Sequence, residues 1–298
     1  MDRVIPVAKS QGNSTYDCVR AFKRIVRLDK VGHAGSLDPQ AMGLILILTG
    51  EATKLSNYLM DLPKRYVADV RLGEATDTQD ESGRILRTGS WVHIDRNAVE
   101  AVLPRFMGKR FQTPPMYSAL KHKGTPLYML ARRGEKIDRN PRAVDTYEIN
   151  LLEFKPPVIR LEVYCSRGLY LRVLAEEIGD ALGVPAHLGG LVRRRIGHFS
   201  LEEAVSDGEF EKLLEAAGVG YSLTEAVGHF PALILSEEQA RGLSRGIIPK
   251  LHPAGQAALP PRGSLVRLER PDGSLGAIAE MGLGGLIQLR RVFREPTA

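Results

Sequence analysis

Five consecutive apolar residues, Leu44-Ile45-Leu46-Ile47-Leu48, stand between Gly43 and the Thr49-Gly50 pair. A run so short and so continuously apolar predicts a buried strand, because helical patterns need spaced apolar positions over ten or more residues. The stretch before it, Gly32-His33-Ala34-Gly35-Ser36-Leu37-Asp38-Pro39, is a glycine-punctuated loop. A loop holding a histidine and an acid therefore runs directly into a core strand.

The rest of the first 200 residues alternates between helical and extended patterns. Ser14-Thr15-Tyr16-Asp17 reads as a capping box, followed by Val19, Phe22, Ile25 and Val26 at helical spacing. A helix is predicted from Glu51 through Leu59. Tyr66, Ala68, Val70 and Leu72 alternate with more polar neighbours as in a strand, and so do Ile159, Leu161, Val163 and Cys165. Between them, Thr76 to Gly83 reads as a solvated acidic loop, and Asp95 caps a predicted helix carrying Val99, Val102, Leu103 and Phe106 that stops at Gly108. A further helix follows Gly168, carries Leu171, Leu174, Ile178 and Leu182, and ends at Gly183. Strands and helices interleave without a regular βαβ beat, which predicts a mixed α+β fold.

From about Phe230 the texture changes to short β-like runs at 265–268, 276–279 and 287–291, punctuated by Gly and Pro. About 60 residues of this kind predict a small β-rich domain that docks on its neighbour, since a unit that size is marginal alone.

Composition excludes several chemistries. Two cysteines, Cys18 and Cys165, cannot build a disulfide framework and suit a reducing cytosol. No His-Glu-x-x-His pattern and no phosphate-binding Gly-x-x-x-x-Gly-Lys-Ser/Thr loop is present. No apolar run reaches the roughly 18 to 20 residues that cross a bilayer. The expectation is a cytoplasmic enzyme using side chains alone, with no cofactor and no metal. The net charge is +6, yet Arg105 to Arg142 holds ten Lys/Arg against Glu135 and Asp138, a local charge of +8. With a second basic run at Arg193-Arg194-Arg195, this points to a polyanionic partner and salt-sensitive binding.

Taken alone, Asp38-Pro39 reads as an ordinary turn or helix start. Its surroundings are more specific. The loop Gly32 to Pro39, then Gly43 and Leu48-Thr49-Gly50-Glu51-Ala52-Thr53-Lys54, resembles the signature loop of the TruB branch of pseudouridine synthases, with its Gly-His-x-Gly-x-Leu-Asp-Pro core. Lys64-Arg65-Tyr66, Leu72-Gly73 with Thr76-Asp77-Thr78 and Asp80, Pro115-Met116-Tyr117-Ser118-Ala119, Cys165 to Arg172 and His187 to Arg194 are similar to further blocks of that family in order and spacing. Ala277 to Glu280 and Leu289 to Phe293 resemble a PUA domain. One departure is visible: Lys9-Ser10-Gln11-Gly12-Asn13-Ser14 stands where the family carries Lys-Pro-x-Gly-x-Thr-Ser, which puts the stiffness of that loop in question.

The resemblance implies a largely antiparallel mixed sheet of pseudouridine synthase type over residues 1–231, with a basic RNA-clamping insertion at about 112–142, and a PUA-like domain over 232–298. It implies isomerisation of uridine-55 in the T-arm stem-loop of tRNA, by a monomer that flips the base out and needs no guide RNA and no obligate protein partner. Asp38 would be the essential carboxylate, attacking the base, attacking the sugar or assisting departure of the base; Arg172 would be its basic partner and Tyr66 the ring that stacks on uracil. His33 would fill the gap left in the RNA, Tyr170 and Leu191 would line the pocket, and Lys9 would lie at the binding site. Lys121, Lys123, Arg132 and Arg133 would grip phosphates.

Three rivals have distinct signatures. A non-catalytic RNA-binding protein dispenses with Asp38, Tyr66 and Arg172, all present here. A guide-RNA relative lacks activity on a bare hairpin. A glycosidase needs a second carboxylate in one cleft with Asp38, from Asp77 or Asp80.

Overall fold

The Leu44–Leu48 run is apolar throughout because both of its faces are covered. In the computed structural model, which describes residues 1–211, 219–249 and 260–295, it forms β3 (Met42–Thr49). Ile45 and Ile47 face one hydrophobic core, while Leu44, Leu46 and Leu48 face a second. Each leucine so buried stabilises the fold by about 1.5–3 kcal/mol.

β3 belongs to a ten-stranded sheet. Its other members are β1 (Val4–Lys9), β2 (Val31–His33), β4 (Lys64–Leu72), β7 (Gly108–Gln112), β10 (Arg142–Lys155), β11 (Val158–Cys165), β12 (Ala186–Ile196), β13 (Phe199–Ser200) and β14 (Val205–Ser206). The order is β14-β1-β3-β12-β4-β11-β10-β7, with β2 on β3 and β13 on β12. Pairings are antiparallel except β1 with β14 and β3 with β12. Two hairpins stand apart from it: β5 (Glu74–Thr76) with β6 (Ile85–Thr88), and β8 (Lys121–His122) with β9 (Thr125–Pro126).

The first core fills the space between the sheet and three helices. α1 (Thr15–Val26) inserts Cys18, Val19 and Phe22 and is capped as its sequence predicts, Ser14 and Asp17 bonding reciprocally. α3 (Arg96–Val102) adds Val99, with Asp95 accepting from Ala98 N. α5 (Leu171–Leu182) adds Leu171, Leu174, Ala175 and Ile178 and ends at Gly183 in the left-handed conformation. The helix expected from Glu51 to Leu59 is split: residues Gly50–Leu55 form a 3-10 turn that leads into α2 (Ser56–Asp61).

The second core joins the large sheet to the C-terminal residues. Leu275, Ile278 and Phe293 pack with Leu44, Leu46, Leu55 and Leu59. Ile278 lies on β17 (Leu275–Met281), inside a four-stranded sheet with β15 (Ala232–Ile234), β16 (Leu265–Glu269) and β18 (Ile287–Val292). That sheet has its own third core, in which Ala277 and Ala279 meet Leu243 of the helix Glu237–Ser244. Lys54 Nζ donates to Val292 O at 2.9 Å and stacks over Phe293, so the 3-10 turn that follows β3 is bonded to β18 as well as packed on it. No helix among the described residues is long and apolar enough to cross a membrane.

Candidate active site

Asp38 sits in the turn between β2 and β3. The turn is held from outside: Thr15, at the start of α1, donates to Leu37 O at 3.3 Å and accepts from Leu37 N at 2.9 Å. Lys9 is 2% exposed, and its Nζ donates to Ser10 O, Asn13 O and Pro39 O at 2.9, 2.7 and 3.2 Å. Burial pulls its ammonium below the ordinary lysine range, while the charges of Asp207 and Asp38 oppose that shift. Lys9 therefore braces the backbone behind Asp38, with its side chain covered by the loop it holds. The Asp38 carboxylate is half exposed and faces a cleft.

Arg172 meets it from below. This residue lies in the first turn of α5 and is 5% exposed at its side chain. One guanidinium nitrogen lies 3.0 Å from Asp38 Oδ2 and donates to Tyr117 O at 2.6 Å; the other donates to Thr78 O at 3.3 Å and lies 3.8 Å from Asp80 Oδ2. Two carboxylates and two carbonyls thus surround one buried cation, the arrangement that makes burying such a charge tolerable. Asp80 was expected in a solvated loop. Its side chain is 14% exposed, and its Oδ1 accepts from Thr78 Oγ1 at 2.7 Å and Ser82 N at 3.0 Å. The acidic loop is folded onto the site because its backbone and side chains bond to one another and to Arg172. Asp77 serves that loop alone, accepting from Arg84 N at 2.8 Å.

The basic run at 193–195 does not act as a unit. A register shift in β12 between Arg193 and Arg195 breaks the alternation there, so Arg194 and Arg195 are both exposed while Arg193 turns inward, to 2% exposure. Its guanidinium donates to Leu44 O at 2.6 Å, Gly35 O at 3.1 Å and Ser36 O at 3.3 Å. It is a cation bonded to the signature loop, unavailable to a polyanion. The close approach of this strand also explains Gly43: its φ is +108°, and a Cβ there would lie 2.4 Å from Arg193 O, so only glycine fits.

Tyr66 projects from β4 into the same place. It is buried; burial raises its phenol above the ordinary range, and the Arg193 charge beside it partly offsets this. Asp38, Tyr66, Tyr170, Arg172 and Leu191 together line one cleft of about 120 Å³, open to solvent. A second cleft shares Asp38, Arg172 and Leu191 and adds Asp80, Glu81 and the Gly189-Gly190 pair. Residues from four separate stretches of the sequence are thereby brought to one place. His33 lies off both clefts, half-buried at the end of β2 with an unpartnered Nδ1; burial, and then Arg193, hold it below the usual histidine range.

The basic segment at 112–142 reaches the site through one backbone carbonyl, of Tyr117, and one side-chain amide, of Gln112. Tyr117 O accepts from Arg172, Gln112 Oε1 accepts from Tyr170 N at 2.8 Å, and Arg139 donates to Pro114 O at 3.0 Å. Lys121, Lys123, Arg132 and Arg133 are exposed around the β8–β9 hairpin and the end of α4 (Leu127–Arg132). Not all of the +8 is free: Arg110 pairs with Glu177 of α5 at 2.6 Å and stacks on Phe106.

The chain's similarities fall on this architecture. Residues 23–171 match the family described as TruB family pseudouridylate synthase (N terminal domain). The chain is 38% identical to the tRNA pseudouridine synthase B of Geotalea uraniireducens (strain Rf4) over 98% of both chains. It is 40% identical to the protein of that name from Chromohalobacter salexigens, over 93% of this chain and 90% of the other. Among solved structures, a chain from the crystal structure of a Cbf5-Nop10-Gar1 complex superposes with a TM-score of 0.76 at 25% identity, covering 98% of this chain and 85% of that one. A chain of the archaeal box H/ACA sRNP Nop10-Cbf5 complex does so at 0.73 and 23%, over 98% and 86%.

Proposed function

The chain belongs to the TruB family of pseudouridylate synthases, and from that premise we propose that it isomerises a uridine of tRNA, uridine-55 of the T-arm, to pseudouridine. The observation that carries the reading is the half-exposed Asp38 carboxylate, ion-paired to the buried Arg172, in a cleft floored by Tyr66. The relatives named tRNA pseudouridine synthase B supply the substrate class.

In the reaction the N1–C1′ bond of the nucleotide breaks, the uracil turns, and a C5–C1′ bond forms. The C5 hydrogen leaves to solvent and N1 gains one, so no oxidant or energy source is consumed. Asp38 supplies the anion, whether it attacks C6 of the base, attacks C1′ or assists elimination of the base. Arg172 places a fixed positive charge against it from a buried position, where that charge is screened less than in bulk solvent. Tyr66 presents a neutral aromatic ring for the uracil to stack on, and Tyr170 and Leu191 close the sides. A paired base cannot reach this cleft, so the nucleotide is flipped out at a cost of a few kcal/mol, with His33 filling the vacated stack.

Lys121, Lys123, Arg132 and Arg133 grip phosphates on the stem from the insertion at about 112–142. We assign residues 1–231 to catalysis and 232–298 to a PUA-like RNA-binding domain; the separate four-stranded sheet supports this division. The enzyme works as a cytoplasmic monomer without guide RNA or protein partner.

The test is conversion of a bare T-arm hairpin by the purified protein alone, read by digestion and chromatography of the nucleosides. The reading predicts one pseudouridine per hairpin, at the position of uridine-55. Conversion at another position, or only with a guide RNA added, overturns it.

A further inference from the structure

The turn that carries Asp38 is braced by residues 9–13, and something must hold that brace. Gly12 N donates to Pro39 O at 2.8 Å, and Lys9 Nζ reaches the same carbonyl. Residues 10–13 lie outside any strand or helix and are exposed. Nothing in regular secondary structure fixes them.

Lys9 Nζ bonds their carbonyls at Ser10 and Asn13, and one carboxylate gathers their donors. Asp207 Oδ2 accepts from Ser10 N at 3.0 Å and from Asn13 Nδ2 at 3.0 Å, and Oδ1 accepts from Ser10 Oγ at 2.7 Å. Cys18 Sγ of α1 lies 3.6 Å from Oδ2. Burial alone would raise this carboxyl, but the donors from Ser10, Asn13 and Cys18 outweigh it and hold it below the ordinary aspartate range. Asp207 is itself anchored. It follows β14, which runs parallel to β1; its own N donates to Ala8 O at 3.1 Å, and Phe210 packs edge-on against Phe22 of α1 at 5.3 Å.

We propose that Asp207 is a positioning residue for Asp38: it clasps the 10–13 loop, which in turn fixes the Leu37–Pro39 turn and so the orientation of the catalytic carboxylate. The inference rests on the assignment of Asp38 as that carboxylate. It also gives a physical account of Ser10. A serine here contributes two donors to the clasp, its N–H and its hydroxyl, whereas proline at this position has neither. In this chain the loop is stiffened by hydrogen bonds to a distant acid in place of a ring.

Positioning has a kinetic signature, because displacing a reacting group by about 1 Å can cost on the order of a hundredfold in rate without touching binding. Asp207→Ala should lower kcat on the T-arm hairpin by about tenfold or more, with Kd for the RNA within twofold of wild type. Adding Asn13→Ala to Asp207→Ala should lower kcat no further, since that donor has already lost its acceptor. Should Asp207→Ala fail to fold, as judged by its thermal melt, the Ser10→Ala/Asn13→Ala pair carries the test, with kcat down by threefold or more at unchanged Kd. A folded Asp207→Ala enzyme with wild-type kcat, a parallel loss of kcat and affinity, or multiplicative effects in the double variant overturns the inference. Turnover by wild type in the same assay separates this outcome from failure of the functional reading, in which wild type itself is inactive.

Discussion

The Arg172 guanidinium lies between two carboxylates, 3.0 Å from Asp38 and 3.8 Å from Asp80, in the lining of the cleft. The relationship is unsymmetrical. Asp80 is nearly covered and bonded to its own loop, whereas Asp38 is half exposed, so the pair reads as one acid presented to a ligand and one that holds the cation in place. An arginine is needed because four acceptors in different directions require its planar, forked set of donors. Arg172→Lys should therefore reduce the single-turnover rate by about a hundredfold, with little change in RNA affinity. A rate within threefold of wild type would show that charge alone suffices.

Asp80→Asn keeps the loop's size while removing one charge from the network. Its expected effect is a fall in kcat of about tenfold or more through Arg172, again with Kd nearly unchanged. The useful comparison is Asp77→Asn, which touches the loop but not Arg172 and should retain near-wild-type kcat. Equal losses in both variants would mean that the loop, and not the network, is being read.

Binding should report on the insertion. Replacing Lys121, Lys123, Arg132 and Arg133 with Gln should weaken hairpin binding and flatten its dependence on salt, by a slope of about 0.7–0.9 for each phosphate left without its cation. Substituting Arg110 should leave that slope unchanged, because its partner is Glu177.

Tyr66 sets an alkaline limit that can be measured. Its phenol is raised above the ordinary value near 10, mainly by burial. In the unfolded chain the group ionises first, so its contribution is complete below pH 10 and is lost as pH rises through the folded value. Tm of the wild type should fall above pH 10 more steeply than that of Tyr66→Phe, and the two curves should be parallel from pH 7 to 9. A step in activity between pH 7 and 9 that vanishes in Tyr66→Phe would contradict a neutral phenol.

Much of this was legible in the residues themselves, and the parts that were not share a cause. β3, β4, β11, α1 and α5 carry clean periodicity and lie where the pattern places them, whereas the helix expected to run to Gly108 is α-helical only over Arg96–Val102 and continues as a 3-10 turn, Leu103–Phe106. β10 escaped because it is bulged twice, at 146/148 and 151/153, which breaks alternation every few residues. β12 is similarly disguised by a register shift at Leu188/Gly190. At the site, Asp38, Tyr66, Tyr170, Arg172 and Leu191 converge because the motif residues cluster around the central strands. Asp80, Arg193 and Asp207 were misread or missed for one reason: a charged residue looks solvated in sequence, and only the fold reveals a cation or a set of donors facing it. Gly43 gave a faint signal for Arg193, since a glycine at the mouth of a core strand marks a close approach of backbone.

The C-terminal sheet should behave as part of one cooperative body. Ile278 is fully buried in the core shared with Leu46 and Leu55, so Ile278→Ala should cost about 2–5 kcal/mol and lower a single thermal transition. Two separated transitions in wild type would show that the sheet folds independently.

The most direct measurement is release of tritium from a T-arm hairpin labelled at uracil C5, by wild type and by Asp38→Asn, with hairpin binding measured in parallel. Loss of the C5 hydrogen reports the isomerisation itself, which leaves the mass of an unlabelled RNA unchanged. The account predicts release by wild type, none by Asp38→Asn, and similar affinity for both. Release by Asp38→Asn at the wild-type rate, or none by either protein despite tight binding, would contradict it.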